Sequence, residues 1–320
     1  WPGGGLFSVS ISLTEKGREQ YSRVVELFFS YVKMLRREGA QQWLYEEQAR
    51  LAELSFRFKE TGEPISYVSA TASGMHDYWP QDILRGPYLM DRYDEVMLNG
   101  LLEDIRVDNA LVILTAADVE TDKLSHFYQV PYSERPVMGE QLASWQAASG
   151  EASLHLPPVN EFIAENVALV PLSGNNPDVP EVALRRDRQV IWFKQAEQFR
   201  IPKGATYINF RSPEVGQSAR QNAAAVLYTS LLTDSVNEFA YPAMLAGLNF
   251  DLYKHAQGIS LRITGYNDKQ ALLLEELLAA ITAAQFEPQR FDNIRMDMIR
   301  ALRNSVAERP SGQVMQDLRE

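Results

Sequence analysis

Residues 218–270 read SARQNAAAVLYTSLLTDSVNEFAYPAMLAGLNFDLYKHAQGISLRITGYNDKQ. The spacing from Ser218 onward predicts a long helix with Ala223, Val226, Leu227, Ser230 and Leu231 on its inner face. Gly247 stops the helical stretch. Leu248, Phe250 and Leu252 then alternate with polar residues, as do Ile259, Leu261 and Ile263. The turn between them falls at 255–258, so the pair reads as antiparallel strands. GYNDKQ, at 265–270, reads as a turn that opens a second helix over 269–284, burying Leu272, Leu274, Leu277, Leu278 and Ile281. A last helix from Pro288 carries Phe291, Ile294, Met298 and Leu302 at inward spacing.

Upstream, residues 190–193 and 206–211 are strand candidates. Before them lies the densest run of chain breakers: Pro157-Pro158, Pro171, Ser173-Gly174-Asn175-Asn176-Pro177 and Pro180. Such a run is loop or linker, although residues 167–170 within it still have strand character. It predicts a domain boundary, with one domain over 1–175, a linker over 176–188 and a second domain over 189–320.

The first domain starts on the same pattern. Phe7, Val9, Ile11 and Leu13 alternate with Ser8, Ser10 and Ser12, which predicts a half-buried strand. Tyr21, Val24, Val25, Phe28, Val32 and Leu35 then follow helical spacing to Gly39. A further helix puts Leu44, Leu51, Leu54 and Phe58 inward. Residues 66–102 are helix-like, interrupted at Pro80 and Pro87 and rich in aromatics. Residues 110–114 read as a buried strand, and a short helix surrounds Trp145. An alternating strand followed by two amphipathic helices thus occurs once in each domain. The fold class is α+β: two related domains, each an antiparallel sheet with helices packed on one face.

Composition narrows the function. At 320 residues the chain suits about two domains of the usual ~150-residue size. No apolar run approaches the roughly 18 residues of a membrane span. A net charge of −11 leaves no basic stripe to neutralise phosphates, so nucleic acid is not an expected partner. Cysteine is absent, which excludes a disulfide framework and thiol catalysis. The glycine run after Trp1 leads directly into a strand, which reads as a piece cut from a longer protein.

Motifs for chemistry are missing. His76, His126, His155 and His255 have neither H-E-x-x-H nor H-x-x-E-H spacing. There is no G-x-S-x-G elbow, P-loop or dinucleotide fingerprint. Glu46-Glu47 and Glu275-Glu276 lie on polar helix faces. From the residues alone, no catalytic and no metal-binding residue is assigned.

The blocks quoted above do carry a resemblance. AYPAMLAGLNFDLYKHAQGISLRITGYNDKQ (240–270) resembles a segment of the insulinase–pitrilysin family of zinc peptidases. FSVSISLTEKG (7–17), REGAQQWLYEEQ (37–48), LAELSFRFKE (51–60), NEFIAENVALVPL (160–172), VIWFKQ (190–195) and DSVNEFAY (234–241) agree with it in order. The resemblance implies a zinc metalloendopeptidase of four related α+β domains, whose halves close around a chamber and cleave enclosed peptides. Zinc would be held in the first domain by H-x-x-E-H and a further Glu, outside this chain. The chain would then be a central portion: much of the second domain, the linker and most of the third, with peptide substrates and the remaining domains as its partners. The helix from Ser218 would be a degenerate copy of the metal-bearing helix, binding no zinc itself. The resemblance also points to Gly3, Gly4 and Gly5 as substrate contacts, where the residues alone read as a loop into a core strand. It favours a periplasmic or secreted location, with a cytoplasmic one as the alternative. The alternative is a piece of a non-catalytic scaffold or processing-complex relative that kept the fold and lost the ligands.

Overall fold

A computed structural model describes the chain except residues 1–4, 61, 149, 152, 173, 175, 176, 256, 306, 308, 312, 313 and 315–320. In chain order the helices are α1 (Glu15–Glu19), α2 (Tyr21–Glu38), α3 (Gln42–Arg57), α4 (Pro64–Gly74), α5 (Glu95–Asp104), α6 (Gly139–Ala147), α7 (Ala219–Ser235), α8 (Asn237–Leu245), α9 (Asn267–Thr282) and α10 (Pro288–Ser305). The strands are β1 (Lys123–Leu124), β2 (Pro131–Tyr132), β3 (Glu181–Arg186), β4 (Gln189–Phe193), β5 (Lys203–Arg211), β6 (Asn249–His255) and β7 (Gly258–Tyr266). Packing divides them into two units, Trp1–Ala49 with Leu89–Val159, and Arg50–Tyr88 with Asn160–Glu320. This cut by packing differs from the sequence division at 176–188, which lies inside the second unit.

The first unit is mainly helical. Phe29, Val32 and Met34 of α2 are buried, as is Trp145 of α6, whose indole Nε1 donates to Ser22 Oγ at 2.8 Å. α2 ends where Gly39 takes φ +72°, a conformation that costs glycine little. α5 is held at both ends. Asp94 accepts from the Met97 amide at 3.0 Å, and that bond, with Arg92 beside it, holds its carboxyl below the usual range. At the other end Arg36 donates to the carbonyls of Leu102 and Ile105 at 3.1 and 2.9 Å, occupying acceptors that a helix terminus leaves open.

Two strand expectations fail here. Residues 5–14 form no ladder, and the apolar side chains of the alternating run are exposed, Leu6 at 95%. Residues 110–114 are likewise unpaired, with Ile113 77% exposed. Alternation marks a chain able to lie on a sheet, but a strand exists only when a neighbour supplies the other half of its hydrogen bonds. Among the described residues neither run has one. The sheet of this unit is the two-residue pairing of β1 with β2. Residues 167–170, in the second unit, are also outside any strand.

The second unit holds the antiparallel sheet β5-β7-β6, with β7 central. Register is continuous, from Lys203↔Tyr266 to Arg211↔Gly258 on one side and from Asn249↔Thr264 to His255↔Gly258 on the other. Alternation sends Ile208, Phe250, Leu252, Leu261 and Ile263 to one face. There they meet Leu232, Val236, Ala240, Ala243, Leu273 and Leu277 of the surrounding helices in a single core. Ser218 caps α7, accepting from the Gln221 amide. β3 and β4 form a separate hairpin whose Trp192 and Phe193 are exposed. The α+β class holds, most clearly in this unit.

Three helix details differ from expectation. α7 buries Ala225, Thr229, Leu231 and Leu232, followed by its C-cap Val236, so Leu231 is inward as expected while Ala223 and Val226 are exposed. Six consecutive residues, Ala223 to Tyr228, are apolar or nearly so, and an unbroken run marks no phase. In α9 the most buried residue is Leu273, absent from the expected set. In α10 none of Phe291, Ile294, Met298 and Leu302 is buried, and Leu302 is 62% exposed. Its stripe has the right spacing and lies beside α7, with Arg290 paired to Asp234 at 2.8 Å, but that contact leaves Ile294 and Met298 only half-buried.

Candidate functional site

GYNDKQ is a junction rather than a turn. Gly265 and Tyr266 finish β7, and Asn267 begins α9 directly. Three of its side chains then fasten distant backbone, and a fourth pairs with a distant side chain. The Asp268 carboxylate accepts from the amides of Glu165 and Asn166 at 2.9 and 3.2 Å. Gln270 Nε2 donates to the carbonyls of Gly204 and Gly265, both at 2.9 Å, and its Oε1 accepts from Thr206 Oγ1. Lys269 pairs with Glu165 at 3.5 Å. The Tyr266 hydroxyl donates to the carbonyl of Leu54 at 3.2 Å, and its ring packs with Phe58 beside the buried Leu54 and Ala164. The motif therefore binds the sheet, the 160–167 segment and the end of α3 into one body.

Burial pushes the Tyr266 phenol above its usual range. Desolvation disfavours the phenolate, so the folded state holds its proton longer than the unfolded chain does. The resulting stability is complete below the unfolded pKa of about 10 and is lost as pH rises toward the folded value. Tyr266→Phe leaves the Leu54 carbonyl without this donor and is expected to cost about 1 kcal/mol at neutral pH. It should also flatten the decline above pH ~10. Urea denaturation at neutral and alkaline pH checks both effects.

The opposite face of the sheet is polar. Tyr207, Arg262 and Asp251 lie in one cross-strand row over β5, β7 and β6. The Arg262 guanidinium sits 5.8 Å from the centre of the Tyr207 ring and 3.6 Å from the Asp251 carboxylate. In the next row Ser260 donates to Asn209, with Tyr253 at the end. A cleft of about 460 Å³ opens here, lined by Tyr207, Arg262, Thr233 of α7 and the four consecutive β6 residues Phe250–Tyr253. Sequence reading missed it, because alternation identifies the apolar face and says nothing of what the polar face collects.

Among the described residues no three of His, Cys, Asp and Glu stand close enough to share a metal. His155 Nδ1 lies 2.8 Å from the Leu156 carbonyl, and His255 Nδ1 accepts from the Gln257 amide. Of the expected substrate contacts, Gly3 and Gly4 lie outside the described residues. Gly5 is exposed, with open space around the position of a β-carbon.

Comparison with known proteins places these observations. The family model described as the middle or third domain of peptidase M16 matches residues 56–320. Human insulin-degrading enzyme is 32% identical over 316 residues, covering 98% of this chain and 31% of its own. The A-factor-processing enzyme of Saccharomyces cerevisiae is 28% identical, with 98% and 31% covered. A Schizosaccharomyces pombe relative whose name carries the words zinc protease is 31% identical over 296 residues, with 91% and 30% covered. The crystal structure of pitrilysin shares the fold at a TM-score of 0.75, with 22% identity, over 92% of this chain and 31% of that one. The chain thus spans about a third of the length of the curated relatives it matches.

Proposed function

From the premise that the chain belongs to the M16 peptidase family, the insulinase–pitrilysin group, we propose that it is the central, non-catalytic portion of a zinc-dependent metalloendopeptidase. Residues 1–175 are its second-domain part, 176–188 the linker between halves, and 189–320 the third-domain part. The whole polypeptide encloses and cleaves peptides, and this portion supplies chamber wall and linker. Substrate contact through Gly3, Gly4 and Gly5 and a periplasmic or secreted location belong to the same reading.

The observation that carries it is the inner face of α7. Residues 225, 229, 231, 232 and 236 are Ala, Thr, Leu, Leu and Val, all buried, with Leu232 and Val236 in the core of the unit. A helix that carried the metal would need imidazoles and a carboxylate turned toward an open site. A core helix carries what α7 carries, so the fold is kept while the chemistry lies elsewhere in the polypeptide. The unpaired apolar runs at 6–13 and 110–114 support the same reading, since further strands of a longer chain would cover them.

Metal analysis tests the proposal in two arms. The 320-residue chain dialysed against zinc should retain no tight equivalent, and it should not cleave a quenched peptide. The polypeptide that contains it should hold one zinc and lose peptide cleavage on chelation. One tightly held zinc in the chain alone would overturn the non-catalytic assignment. A metal-free, inactive parent would move the protein to the scaffold reading.

A further inference from the structure

We propose that the outer edge of β6 is a docking strand for an extended peptide, with a basic side chain of that peptide seated beside Asp251. For its class of ligand this rests on the reading of the parent as a peptide-handling enzyme; the site itself rests on the geometry of the sheet. β6 is the last strand of its sheet, and among the described residues no strand pairs with its outer side. Alternate residues of such an edge present amide N–H and carbonyl groups that only another extended chain satisfies in full. The cleft reaches this edge, where four consecutive β6 residues line it with Thr233, and Arg262 and Tyr207 carry it back over the polar face. A strand laid there has the sheet on one side and α7 beside it, with the polar face open to alternate side chains.

The polar rows decide which peptide fits. One row runs Tyr207–Arg262–Asp251 and ends, at the edge, on a carboxylate whose side chain is 59% exposed. Arg262 occupies one flank of that carboxylate at 3.6 Å, and among the described residues no strand supplies the next position across the edge. Opposite charges directly across a strand pair stabilise it, and like charges oppose it. A Lys or Arg at that position extends an alternating ladder, whereas an acid meets Asp251 head on. Tyr253 ends the neighbouring row and offers a ring face to the same cation. On the other face the peptide meets the side of Phe250 and Leu252, which takes small apolar residues. The net charge of −11 favours approach of a basic peptide from a distance.

The probe is a blocked octapeptide alternating Lys and Val, titrated into the 320-residue chain while amide resonances are followed. Shifts should gather on 249–255 and Arg262, and the Glu-for-Lys peptide should bind roughly ten-fold more weakly. Methylating alternate peptide nitrogens on the pairing side should abolish binding, and the opposite set should leave it. Asp251→Asn should weaken the Lys peptide about three-fold and narrow its advantage over the Glu peptide. Equal binding by both methylated peptides, or by the Glu peptide, would overturn the proposal. So would shifts centred on 6–13 or on the β3–β4 hairpin, or no binding near ~1 mM peptide. None of these outcomes touches the zinc arms above, so the two readings fail separately.

Discussion

Gly265→Ala is expected to unfold the second unit or to destabilise it by more than about 4 kcal/mol. Gly265 has φ +124°, a region that side chains other than hydrogen avoid. A β-carbon there would stand 2.2 Å from the carbonyl oxygen of Gly247 and 2.9 Å from the Cα of Leu248. Both are backbone atoms, so no rotamer change relieves the clash. Leu248 is buried in the core, and Gly247 itself turns at φ +80° to bring the chain from α8 into β6. Moving either one displaces β6 from β7. The Gly265 carbonyl would move with it, away from the Gln270 donor that ties the sheet to α9. Gly5→Ala is the control, because its added carbon meets nothing within 4 Å. Chemical denaturation followed by far-UV circular dichroism measures both. A Gly265→Ala cost under about 1 kcal/mol would show that the β6–β7 crossing is looser than described.

The residue that opens GYNDKQ is therefore fixed by a backbone approach, and the rest of the motif by hydrogen bonds to remote main chain. None of this could be read from the sequence. The partners of Asp268, Gln270 and Tyr266 lie at Glu165, Asn166, Gly204 and Leu54, and spacing along a chain carries no information about such pairs. What was legible is local. Alternation identified β6 and β7, apolar spacing from Ser218 identified α7, and Pro288 the start of α10. Alternation at 7–13 and 110–114 was equally plain, yet a strand is a property of a pair, and the described chain supplies no partner. The polar row of the candidate site followed from register alone: once Arg262 stands opposite both Tyr207 and Asp251, the three share a face. Register required the structure.

The phase of α7 is the last point on which reading and structure divide, and one pair of variants decides it. Leu232→Ala should cost about 2–4 kcal/mol, and Val226→Ala less than about 0.5 kcal/mol. Leu232 is 2% exposed and packs with the core that includes Val236, Leu261, Ile263 and Leu273. Removing its branched end leaves a cavity that the sheet, held in register on both sides, is poorly able to close. Val226 is 37% exposed and lies outside that row, so truncation there removes surface rather than core. The sequence reading, with Val226, Leu227 and Leu231 inward, expects the reverse for Val226. The outcome reaches beyond stability. If Leu232 is core, the buried side of α7 carries Ala225, Thr229, Leu231 and Leu232, and metal donors placed at 232 or 236 would point into packed hydrocarbon. A helix fixed in that phase holds up a wall, and its exposed side, not its buried one, is where Thr233 meets the β6 cleft. Equal costs at both positions would move the inward face by about one residue, or roughly 100°, and would reopen the question of which α7 side chains a ligand could reach.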